Sequence, residues 1–156
     1  MPEAVEFHYE LTGPGWSECR ISIGEATCSV TASYLSDALG DLASAVEAVL
    51  RRHTEACASF EEEPGEYLWL FDPVFADRVH VRILKLIHWG GEFGDVWTLL
   101  FEAECERRAF ASAVANELRR LLAEHGLSGY RRKWVRYEFP VDRLRAIEEL
   151  LRARGA

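Results

Sequence analysis

Residues 5 to 12 read Val-Glu-Phe-His-Tyr-Glu-Leu-Thr, and every second side chain is apolar. Val5, Phe7, Tyr9 and Leu11 take one face; Glu6, His8 and Glu10 take the other. A period of two belongs to a half-buried β-strand, not to a helix. The next segments tighten the constraint. Gly13-Pro14-Gly15 signals a turn, and Trp16 to Ile23 places Cys19, Ile21 and Ile23 on one face. Gly24-Glu25 fits a two-residue hairpin turn. With that turn Ile23 faces Ala26, Ile21 faces Cys28 and Cys19 faces Val30, so the inward sets coincide. A one-residue slip would send all of them to solvent. The chain is therefore expected to open with three antiparallel strands, whose apolar face needs a cover.

The cover is expected from a helix over Asp37 to Arg52. Leu35, Leu39, Leu42, Val46, Val49 and Leu50 recur at three- and four-residue steps and make one stripe. Ser36 is the expected N-cap, and Asp37 lies where the helix dipole favours an anion. Four more strands are expected at 56–62, 66–71, 78–89 and 96–105. In the third, Val79, Val81, Ile83, Ile87 and Trp89 oppose His80, Arg82, Leu84, Leu86 and His88. In the fourth, Trp97, Leu99, Phe101, Ala103 and Cys105 share a face. Gly90 to Asp95 joins the two as a hairpin loop. A second helix over 107–125 carries Phe110, Val114, Leu118, Leu121 and Leu122, and Gly126 suits its end. Residues 127–139 read as a strand or an ordered arm, and Pro140 begins a short last helix. The expected fold is one α+β domain over 1–156, in the order βββ-α-ββββ-α-(β)-α. Its sheet is largely antiparallel, with six to eight strands.

A chain of 156 residues can bury a full core without staples. Its four cysteines show no zinc or redox spacing, so they read as reduced core thiols. No metal and no cofactor is expected. No apolar run approaches the ~18 residues that span a bilayer, and the first residues lack a signal-peptide pattern. A cytoplasmic location without a membrane partner is expected. The net charge of −8 is uneven. Met1 to Asp72 holds 14 acids and 3 bases, −11; Pro73 to Gly126 holds 8 and 7, −1; Leu127 to Ala156 holds 4 and 8, +4. Such a field disfavours nucleic acid and steers basic partners inward.

The candidate site is Glu61-Glu62-Glu63-Pro64-Gly65-Glu66. With Pro64-Gly65 at a hairpin tip, Glu63 faces Glu66, Glu61 faces Leu68 and Phe60 faces Trp69. Glu61, Glu63 and Glu66 then share an outward face with Leu68 and Leu70, while Glu62 leans toward Tyr67. Opposed like charges and strand glutamates do nothing for the fold. They suit a solvated turn that guards an edge, and also an anionic docking edge with apolar anchors. His80 and His88 lie ~26 Å apart along one strand and share no metal. No catalytic residue is assigned. Arg131 to Tyr137 interleaves cations and aromatics, which could stack bases, but the acidic whole argues against a nucleic-acid partner.

Four stretches carry a resemblance: F-x-Y-x-L-T-G-x-G-W from Phe7, A-S-Y-L-S-D-A-L-G-D-L from Ala32, E-E-E-P-G-E-Y-x-W from Glu61, and F-E-A-E-C from Phe101. In these the chain resembles a set of small uncharacterised bacterial proteins. That resemblance implies no activity and no site residue. In size, acidity and α+β build the chain is also similar, as a class, to bacterial immunity proteins that neutralise a partner toxin. The leading expectation is a non-enzymatic binding protein, an immunity or inhibitor protein that docks a basic partner. The alternatives are a small enzyme or ligand-binding domain with a pocket between sheet and helix, and a structural homo-oligomer.

Overall fold

A computed structural model describes residues 3–52, 54–63, 65–88 and 95–153. The elements run β1 (Val5–Gly13), β2 (Trp16–Ile23), β3 (Ala26–Ser33), α1 (Ala38–Leu50), β4 (Ala56–Glu61), β5 (Glu66–Val74), β6 (Arg78–His88), β7 (Asp95–Glu106), α2 (Arg107–Trp134) and α3 (Val141–Arg152). The α+β class and the element order are those expected. The strands, however, form two antiparallel sheets, β1-β2-β3 and β4-β5-β6-β7. The chain passes through α1 between β3 and β4, so no hairpin fixes a register between them. Strand β3 instead packs against β4 and β7.

The inner faces of both sheets and the helices share one hydrophobic cluster. Its spine is aromatic. Tyr9 of β1 meets Phe60 of β4 edge-on at 6.4 Å, Phe60 meets Trp69 of β5 at 5.4 Å, and Phe71 meets Phe110 of α2 at 5.4 Å. Each such pair adds roughly 0.5–1.5 kcal/mol beyond its area burial. The α1 stripe lies in this core, with Leu39, Leu42 and Val46 fully buried.

Four local readings change. The cap of α1 is Asp37, whose Oδ1 accepts from Gly40 N–H at 3.2 Å. Ser36 Oγ instead accepts from Glu61 N–H at 3.1 Å and ties the start of α1 to β4. A Cβ at position 40 would lie 2.1 Å from the Asp37 carboxylate, so this cap depends on glycine. Second, the β4–β5 hairpin pairs Glu61 with Glu66 and Phe60 with Tyr67, two residues out from the expected register. Beyond the Glu61–Glu66 pair, Glu62 N–H bonds Gly65 O at 2.8 Å, so the tip lies one position nearer the N-terminus than expected. A shift of two keeps each side chain on its face.

Third, β7 carries a bulge. Ile83 faces Phe101 but Leu84 faces Leu99, which leaves Leu100 extra. The bulge reverses the alternation. Phe101 and Cys105 stay in the core, while Leu99 is half-exposed. Trp97, which faces Leu86 on β6, shares the outer face with Leu99. The expected single face from Trp97 to Cys105 is thus split. Trp89 and positions 90–94 lie outside the described residues. Fourth, residues 127–134 are helix. Gly126 breaks the helical geometry with φ +68°, and the helix then resumes to Trp134. Tyr130 and Trp134 are fully buried. The Trp134 indole N–H donates to Ser36 O at 3.3 Å. No helix among the described residues is long and apolar enough to cross a membrane.

Candidate functional site

The helices pack on one face of the four-stranded sheet, through contacts such as Phe71 on Phe110. Alternation sends Leu68 and Leu70 of β5 and Leu84 of β6 to the opposite face, where all three are half-buried. The register lines up Leu68, Leu84 and Leu99 across three strands. Trp97 extends the apolar surface along β7 and is 44% exposed, as Leu99 is 50% exposed. Leu84, Leu99 and Trp97 therefore belong with the Leu68 and Leu70 named from the sequence. The missed signal was the β7 bulge, which only cross-strand pairing reveals.

The charges on this face divide into two ends. Away from the β4–β5 turn Asp72 pairs with Arg82 at 2.9 Å and Glu104 with Arg78 at 2.6 Å, and Glu102 lies 2.9 Å from the His80 ring. At the turn end, Glu61 and Glu66 stand opposite each other beside Leu68. Glu66 accepts the Ser59 hydroxyl at 2.7 Å. Glu63 lies in the turn and is exposed. None of these three meets a cation among the described residues. Glu62 differs: Lys85 lies 3.9 Å away and covers the Tyr67 ring. Burial first, and the Glu62 carboxylate second, push the Tyr67 hydroxyl up to about 12.

The two outer edges of the sheets are treated differently. Strand β1 is guarded by α2. Tyr9 N–H donates to Glu117 Oε2 at 2.7 Å, and Arg120 Nη2 donates to Tyr9 O at 2.9 Å. Glu117 and Arg120, one turn apart, pair at 2.7 and 2.9 Å and stand where a neighbouring strand would. His8 Nδ1 lies 3.2 Å from the same carboxylate. Burial alone would raise the Glu117 pKa, but Arg120, the Tyr9 N–H and His8 outweigh it and hold it low. A cleft of about 140 Å³ beside this pair is lined by His8, Glu124, His125 and Lys133. The Glu117 carboxylate is committed to holding α2 on β1. Strand β7 packs against β3. No strand pairs with its outer edge among the described residues. Val96 to Leu100 are exposed on both faces.

The basic segment does not lie on the acidic turn. Arg131 donates to Val135 O, and Lys133 Nζ lies 3.4 Å from His125. Its Trp134 is in the core, and Arg136 covers the half-buried Tyr137 ring. The interleaved aromatics are therefore not a stacking surface. No protein-family model, curated protein or solved structure matches this chain.

Proposed function

We propose that the chain is a non-enzymatic binding protein, of the immunity or inhibitor kind, that occludes a basic partner with the outer face of its four-stranded sheet. One observation carries this reading. Glu61, Glu63 and Glu66, which meet no cation among the described residues, border the apolar rows of Leu68, Leu84 and Leu99. On the same face Asp72 and Glu104 meet arginines, whereas these three meet no cation among the described residues. An apolar centre with a charged rim is the anatomy of a docking surface. The three carboxylates would steer a cationic partner and fix its register, and the leucines would supply the buried anchors.

The experiment is affinity capture from the native lysate with wild type, with Glu61, Glu63 and Glu66 all changed to Gln, and with Leu99→Asp. The expected result is a basic protein held by wild type, released by rising salt and lost with either variant. A partner that both variants retain, or one that is acidic, sinks the reading. A second reading rests on β7: its free edge could pair with the same edge of another copy. Light scattering separates the two, since a monomer at high concentration counts against self-pairing.

A further inference from the structure

Positive charge also gathers away from the basic segment. A cleft of about 170 Å³ opens among the end of α1, the β5–β6 turn, the start of α2 and the end of α3. Arg52, Arg107 and Arg108 line it, and Asp77 is its one carboxylate among the described residues. It lies at the far end of β5 from Glu66, roughly 27 Å away at strand rise.

The three cations are not equally accounted for. The Arg108 guanidinium donates to Leu150 O and Leu151 O, the last carbonyls of α3, and so serves as a helix cap. Arg52 and Arg107 both turn to the same atom, Asp77 Oδ1, at 2.6 and 2.8 Å. One carboxylate oxygen cannot neutralise two guanidinium groups. Arg107 is only 8% exposed, and its Nε is buried without a partner among the described residues. Burial, and then the charge of Arg52, push the Arg107 pKa down. The N-terminus of α2 adds positive potential, because Glu106 supplies no side-chain cap. Buried positive charge without matching negative charge is costly. For stability alone, an apolar residue at 107 would serve better.

We propose that this cleft binds a small oxyanion, a phosphate group or its tetrahedral equivalent, held in the fork of Arg52 and Arg107. Guanidinium groups match such oxygens two at a time. The volume is below the ~300 Å³ of pockets that enclose a whole drug-sized ligand. The cleft takes the anionic group, then, and leaves the rest of a larger ligand in solvent. Asp77 is its built-in competitor. Its carboxylate is 58% exposed and sits where a ligand oxygen would bind the same two arginines.

The test is titration of the full chain with inorganic phosphate at low ionic strength, followed by amide NMR, with sodium chloride as the control. Saturable shifts confined to the amides around 52, 77 and 107 are expected. Arg52 is largely exposed, so Arg52→Gln leaves the fold intact. It weakens phosphate roughly tenfold or more, the loss of one charge-assisted contact. Asp77→Asn removes the competitor and tightens binding. Shifts that chloride reproduces, an affinity that Arg52→Gln leaves unchanged, or one that Asp77→Asn fails to raise would each overturn the proposal.

Discussion

Replacing Glu117 by Ala tests how the fold closes its β1 edge. The side chain is 8% exposed and accepts from Tyr9 N–H and from two nitrogens of Arg120. Alanine leaves the Tyr9 N–H without an acceptor, at about 1–3 kcal/mol. Arg120 is 43% exposed and can turn to water, so its loss is that of a half-exposed pair, under about 1 kcal/mol. Together these give about 1–4 kcal/mol, with a fall in Tm of about 2–4 °C for each kcal/mol at this chain length. Urea unfolding at neutral pH measures it. Glu117→Gln keeps an acceptor for Tyr9 and loses the charge, so it costs less. The pH dependence has a fixed sign. The folded pKa of Glu117 lies below its ordinary value. Its contribution is therefore complete above the unfolded carboxylate's pKa of ~4.3. It fades as pH falls through the folded pKa. The gap between wild type and Glu117→Gln should be widest near neutrality and close in acid. A Glu117→Ala loss under ~0.5 kcal/mol, or no coupling to Arg120→Ala in a double-mutant cycle, refutes the account of α2 as the edge guard.

Three further outcomes are expected. Gly65 holds φ +105°, and a Cβ there would lie 2.9 Å from Leu86 O, a backbone atom that cannot swing away. Gly65→Ala should cost about 1–3 kcal/mol by thermal unfolding; a neutral result would mean the turn relaxes. Trp134→Ala empties a fully buried site and should cost about 3–5 kcal/mol in urea unfolding. It should also open 127–139 to limited proteolysis, whereas in wild type that segment resists cleavage. Leu99→Asp on the half-exposed outer face should leave stability within ~0.5 kcal/mol; a large loss would show that the face is already covered within the molecule.

The pattern of residues revealed the sheet faces wherever alternation was unbroken. In the β2–β3 hairpin the pairs Ile23–Ala26, Ile21–Cys28 and Cys19–Val30 are those read from Gly24-Glu25, because a two-residue turn leaves no freedom of register. The β4–β5 turn was less legible. Pro64-Gly65 suggested a tip between Glu63 and Glu66, but the bond from Glu62 to Gly65 places it one position earlier. The patch residues survive that error only because a slip of two preserves the face. The β7 bulge left no mark in composition, since Leu99 and Leu100 suit either face. Residues 127–139 were ambiguous because Gly126 looks like a helix end, and nothing local announces that Trp134 will find Ser36.

Sequence by itself determined the α+β class and the order of the elements outside 127–139, the inward set of the first three strands, and the acidic first half. These follow from period, turn chemistry and charge, which act between near neighbours. Tertiary structure alone decided which charges stay unpaired. Glu117 meets Tyr9 across 108 positions, Arg52 and Arg107 converge on Asp77 from separate elements, and Glu61 and Glu66 are left without a cation among the described residues. Pairing depends on distance in space, and packing of the apolar core sets that distance before any charge finds its partner.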